Sequence, residues 1–158
     1  MAVYWPQLLK NQKMSKRPTL VEVKSLVRKF GSPLFVTYKE TIQKNIALYR
    51  THFKSYSGGF SLAYSVKTNN NPAILKIFRD KKVLAEVCSQ SDITAAKMAG
   101  YRGREIFYDG LIKTSQDLSL AIRDGISHIN IESLGEAKRL ATIATRSKKI
   151  IEVGIRLS

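Results

Sequence analysis

The stretch Ala63-Tyr64-Ser65-Val66-Lys67-Thr68-Asn69 places a lysine at the end of an apolar run suited to a buried strand. In parallel α/β proteins, sites form at the C-terminal ends of strands. Low-dielectric walls there disfavour an ammonium, and the neutral amine is the nucleophile that condenses with a carbonyl to give an imine. A lysine that merely leaves the strand for solvent has the same local sequence, so this stretch alone leaves both readings open. Glu86 lies at another strand end, where the plain alternative to a site role is pairing with a surface lysine. Asn69 reads as a helix-entry residue, and His128 as a structural residue opening a strand. Cys88, the single cysteine, excludes an internal disulfide, fits a reducing cytoplasm, and reads as a packed core residue. No G-x-G-x-x-G or comparable phosphate cradle occurs, and Ser57-Gly58-Gly59 is a turn.

The elements that must position these residues form a repeat. Short runs rich in β-branched and aromatic residues at 60–66, 83–87, 105–108, 128–131 and 150–157 predict strands buried on both faces. Between them, 71–81, 89–100, 115–124 and 133–146 carry apolar residues at helical spacing, such as Ile74, Ile77 and Phe78, or Leu118, Ala121 and Ile122. Ser115 and Ser133 are expected N-caps, and Gly100 and Gly125 sit where helix C-caps favour glycine. An earlier unit, 33–38 followed by 39–57, is set apart by Gly31-Ser32-Pro33 and Ser57-Gly58-Gly59. One βα unit per roughly 22 residues with short connections is parallel α/β architecture. The pattern leaves two candidates: an open doubly wound sheet, or part of a (β/α)₈ barrel, which typically needs about 250 residues. Residues 1–30 read as a basic N-terminal extension with a lead-in helix, and 31–158 as the α/β domain.

Composition narrows the function classes. Hydrophobic residues make up 44% and charged residues 25%, which indicates a globular chain. No apolar run approaches the roughly 20 residues needed to cross a bilayer, and the first residues do not read as a signal peptide. The net charge of +15 invites a nucleic-acid reading. The basic residues, however, are spread along the whole chain, without a recognition-helix signature, zinc-ligand spacing or an RNP-like strand. A solvated basic surface, or an anionic cofactor or substrate, suits the charge better.

Several segments together resemble a known family. Pro33-Leu34-Phe35-Val36-Thr37-Tyr38, followed by Tyr64-Ser65-Val66-Lys67-Thr68-Asn69-Asn70-Asn71-Pro72, resembles the opening of the fold-type III pyridoxal-phosphate decarboxylases of the diaminopimelate/ornithine decarboxylase type. Ala85-Glu86-Val87-Cys88-Ser89, the segment from Ile106 to Thr114, Ile129-Asn130-Ile131-Glu132-Ser133-Leu134, and Val153-Gly154-Ile155-Arg156-Leu157 resemble later segments of that family, in order. The resemblance covers about residues 30 to 158.

It implies a partial (β/α)₈ TIM-type barrel of the alanine racemase-like fold, with about five parallel βα units and the C-terminal part missing. It implies pyridoxal 5'-phosphate as cofactor, held by Lys67. Glu86 stands where the family usually has aspartate near that lysine. Arg156 matches an arginine on the inner face of the fifth strand, expected in the cofactor's hydrogen-bond network or paired with Glu86 or Glu132. Asp92 falls where relatives often carry glutamate. The 33–38 segment is expected outside the barrel, without its strand partner. Relatives place a ring-stacking histidine, a glycine-rich phosphate loop and a glutamate for the pyridine nitrogen beyond the position of Ser158. A C-terminal β-domain then contributes across a homodimer interface.

The implied activity is decarboxylation of a small amino-acid substrate, first of all meso-diaminopimelate to lysine, with the 158-residue chain alone inactive. Rival readings are a decarboxylase-like non-catalytic binding or regulatory protein, or a basic nucleic-acid-binding α/β domain.

Overall fold

The computed structural model describes residues 17–126 and 128–157; residues 1–16 of the basic extension lie outside the described residues. Among the described residues, two helices precede the sheet. Helix α1, Leu20–Phe30, starts at Thr19, whose side chain accepts from the Glu22 N–H while the Glu22 carboxylate accepts from the Thr19 N–H. None of its residues is buried. The 33–38 segment follows as unpaired backbone, outside the ladder as expected, with Phe35 98% exposed. Helix α2, Lys39–His52, buries Ile46.

From there strands and helices alternate. The strands are β1 (Ala63–Ser65), β2 (Leu84–Val87), β3 (Ile106–Tyr108), β4 (His128–Ile131) and β5 (Glu152–Ile155). The connecting helices are α3 (Pro72–Asp80), α4 (Gln90–Met98), α5 (Ser115–Arg123) and α6 (Leu134–Arg146). The strands form one sheet in the order β1-β2-β3-β4-β5, every pair parallel.

That order settles the alternative the sequence left open. A doubly wound sheet reverses its strand order at a switch point. Here spatial order equals chain order, so each right-handed crossover steps the same way and puts its helix on the same face. The core is therefore one-sided. Ala85, Val87, Ile106, Tyr108 and Ile129 point from the strands into a buried layer with Leu75, Ile93, Ala96, Leu118 and Ala121 of the helices. Each fully buried aliphatic side chain contributes about 1.5–3 kcal/mol.

The helix starts follow local chemistry. Asn71, Ser89 and Ser133 each accept a backbone N–H of the turn they open. Helix α5 departs from expectation by one residue. Thr114, not Ser115, is its N-cap, because Asp117 stands three residues on and completes a reciprocal capping box. Gly100 and Gly125 follow the ends of α4 and α5 with φ of +89° and +78°, the left-handed conformation glycine adopts without steric cost.

Candidate functional site at the open sheet face

Strand residues opposite the helices form layers. Register aligns Ser65, Glu86, Phe107, His128 and Glu152 across all five strands. The next residues on the same side, toward the C-terminal ends, are Lys67, Cys88, Asp109, Asn130 and Gly154, followed by Glu132 and Arg156. The three candidate site residues thus share one face and one rim.

Lys67 sits in a single 3₁₀ turn, Val66–Thr68, directly after β1, and its backbone is anchored by the fully buried Val66. The enclosing walls expected around it are absent among the described residues: Lys67 is exposed. Its charge reaches Cys88, whose thiol it pulls down, while the Cys88 Sγ–H donates to Glu86 Oε1 at 3.1 Å. Burial first, then the Glu86 hydrogen bond and charge, push the thiol up to about 11. Cys88 is accordingly half-buried at the rim, not a packed core residue as its type suggested.

Of the two carboxylates expected as its partner, Arg156 pairs with Glu132 and not with Glu86, and it gains Asp109. Its Nη1 lies 3.5 Å from Glu132 Oε1 and 3.7 Å from Asp109 Oδ2. Asp109 also accepts from Asn130 Nδ2 at 2.8 Å. A Cβ on Gly154 would stand 1.9 Å from Asn130 Oδ1, so the absence of a side chain there is what lets the amide lie across β5. Below this cluster His128 packs tilted against Phe107, ring centroids 4.5 Å apart, and pairs with Glu152 at 3.5 Å, the structural role expected of it.

Other candidates resolve as structural. Asp92 is buried and accepts the Cys88 N–H at 3.0 Å, tying the end of β2 to the first turn of α4. Asn69 accepts the Asn71 N–H, as a helix-entry residue does. The buried Ser65 Oγ, two residues before Lys67, has no hydrogen-bond partner among the described residues.

Sequence reasoning passed over Asp109, Asn130, Lys113 and Glu136 as site residues. Lys113 and Glu136 form a buried ion pair at 2.8 Å, with side chains 0% and 3% exposed. A signal for Glu136 existed: Ser133-Leu134-Gly135-Glu136 is a capping-box pattern. Its carboxylate instead accepts the N–H of Glu132, one residue before the cap.

A parallel sheet covered by helices on one face, with a lysine and a polar cluster along the C-terminal rim of the other, defines an α/β protein of the barrel-forming kind. The chain belongs to the pyridoxal-dependent decarboxylase family, whose pyridoxal binding domain it matches over residues 39–158. It is 31% identical over 138 residues to a diaminopimelate decarboxylase of Aquifex aeolicus, covering 87% of this chain and 32% of that protein. Against a diaminopimelate decarboxylase of Archaeoglobus fulgidus the identity is 28%, with the same shares covered. Among solved structures, a diaminopimelate decarboxylase from M. jannaschii superposes with a TM-score of 0.78 at 27% identity, covering 84% of this chain and 32% of that one. The chain spans about a third of the length of the curated relatives it matches.

Proposed function

We propose that residues 31–158 are the opening portion of a pyridoxal-phosphate-binding barrel of an amino-acid decarboxylase, with residues 1–30 as a basic extension, and that Lys67 holds the cofactor. The observation that carries this is the placement of Lys67: an exposed amine at the rim of the first strand, two residues beyond Ser65, which is level with Glu86 on β2, and on the face that bears Arg156. The residues present fit the group. The amine has room to react, and the orphaned Ser65 hydroxyl and the Arg156 guanidinium supply donors on the same face.

When bound, pyridoxal 5'-phosphate supplies a ring that takes up the electron pair left behind as CO₂ departs. The chain's own part is to bind and orient. Lys67 Nζ is the attachment point. The Glu86 carboxylate accepts a hydrogen bond from the Cys88 Sγ–H and places negative charge on the face that bears the lysine. Arg156, whose Nη1 lies 3.7 Å from Asp109 and 3.5 Å from Glu132, supplies positive charge at the rim of the open face.

The substrate favoured is meso-diaminopimelate, giving lysine, because the curated relatives cited are diaminopimelate decarboxylases. A homodimer and a cytoplasmic location belong to the same proposal.

The test is chemical. Incubation with pyridoxal phosphate, borohydride reduction and peptide mapping should place a phosphopyridoxyl group on Lys67. Label on another lysine, undiminished in Lys67→Ala, would remove the central assignment. Substrate choice is tested on the longer coding sequence, by CO₂ release from diaminopimelate against lysine, ornithine and arginine. Preference for any of the last three would overturn the diaminopimelate assignment.

A further inference from the structure

We infer that the buried Lys113–Glu136 pair, on the helix side of the sheet, sets the spacing of Asp109 and Glu132 on the open side and so holds Arg156 between them. Lys113 and Glu136 are then positioning residues for the site. The relevance to catalysis rests on the place proposed for Arg156; the mechanical claim does not.

The connections are short and continuous. Lys113 Nζ lies 2.8 Å from Glu136 Oε1, donates to the Gly110 carbonyl, and sits 5.6 Å from the centroid of the Tyr108 ring. Gly110 is the residue after Asp109 and lies close against β2: a Cβ there would meet the Cys88 carbonyl oxygen at 2.6 Å. At the other end, Glu136 Oε2 accepts the Glu132 N–H at 2.9 Å. Each carboxylate facing Arg156 therefore has its own backbone tied to the pair, Asp109 through Gly110 and Glu132 through its amide. The Arg139 guanidinium adds a longer contact to the Lys113 carbonyl at 3.5 Å.

Why an ion pair should occupy this place is itself informative. Apolar residues of similar volume often stabilise a buried site as well or better. What the pair adds is a link between two backbones: the ammonium donates to the Gly110 carbonyl, the carboxylate accepts the Glu132 N–H, and the two charges lie 2.8 Å apart. That matters here because two carboxylates must sit 3.5 and 3.7 Å from a single guanidinium nitrogen. Fold stability alone would not require the pair to touch both strand ends.

The experiment uses the 158-residue chain, without cofactor, and NMR of the Arg156 guanidinium. Hindered rotation is read as separate Nη1 and Nη2 resonances. Glu136→Gln keeps the size but has one acceptor oxygen where the carboxylate has two, so it cannot accept the Glu132 N–H and face the Lys113 ammonium at once. The rotation rate should rise about tenfold, the ratio set by the loss of one such contact. The double variant Lys113→Met/Glu136→Leu removes the pair and leaves no orphaned charge. In it the two resonances should merge, and Arg156→Met should no longer lower the unfolding temperature as it does in the parent chain. A rotation rate unchanged in Glu136→Gln, or an additive effect of Arg156→Met, overturns the inference. Should the double variant fail to fold, Glu136→Gln decides alone. These readings need no cofactor on Lys67, so failure of that assignment and failure of this one are distinguishable.

Discussion

Cys88 sits between opposing influences, and its titration reports the arrangement of the rim. Burial and Glu86 raise the thiol from its ordinary 9.0 to about 11, and Lys67 acts in the other direction. The thiolate is the reactive form. Alkylation by iodoacetamide should therefore be slow at neutral pH and climb with a midpoint near 11. Glu86→Gln removes a charge that disfavours the thiolate and should lower that midpoint. Lys67→Ala removes one that favours it and should raise it. A parent midpoint at or below 9 would mean that the thiol is neither buried nor bonded to Glu86 in this way. Gly154 is the second test at this scale. Gly154→Ala would drive Asn130 off Asp109, where the two bond at 2.8 Å, because the new methyl overlaps Oδ1. A loss of about 1–3 kcal/mol is expected, read from urea unfolding. The same substitution in an Asn130→Ala background should cost much less.

At the level of elements, the β3–α5 connection carries two devices. Thr114 caps α5, accepting the Asp117 N–H at 3.1 Å while Asp117 accepts in return. Thr114→Ala should cost about 1 kcal/mol and Thr114→Ser little, since only the hydroxyl is needed. Lys113, one residue earlier, is different in kind. Lys113→Met alone strands a buried carboxylate and should cost about 3–5 kcal/mol, whereas removing Glu136 together with it should be close to neutral. Equal losses in the single and double variants, by thermal or urea unfolding, would contradict the pairing.

For the molecule as a whole, the charge and the apolar surface pull apart. Among the described residues no helix is long and apolar enough to cross a membrane. Among the described residues the outer edge of β5 is unpaired, and Ile150, Ile155 and Leu157 beside it are exposed. A cleft of about 230 Å³, lined by residues that include Leu140, Ala144, Ile151 and Val153, lies between α6 and β5. Unpaired strand edges with apolar side chains template association. Sedimentation velocity on the 158-residue chain should show self-association that rises with concentration, and Ile155→Lys should suppress it. A monodisperse parent chain at high concentration would show that this edge is already protected.

Much of this was legible before any coordinates, for a physical reason. Capping, helix periodicity and glycine C-caps are settled within a few residues, so the helices after Asn71, Ser89 and Ser133 and the turns at Gly100 and Gly125 follow from the chain alone. The strand-to-turn position of Lys67 is local in the same way. Where local rules competed, the boundary slipped, as at Thr114 against Ser115. Tertiary structure decided the rest, because it depends on which strands become neighbours. Strand order chose a one-faced sheet over a doubly wound one. Of the two partners expected for Arg156 it chose Glu132, added Asp109, which the sequence did not point to, and left Glu86 to Cys88. Lys113 shows the limit most plainly. A lysine in a loop reads as solvated, and only the packing of α6 against that loop supplied the carboxylate that let its charge be buried.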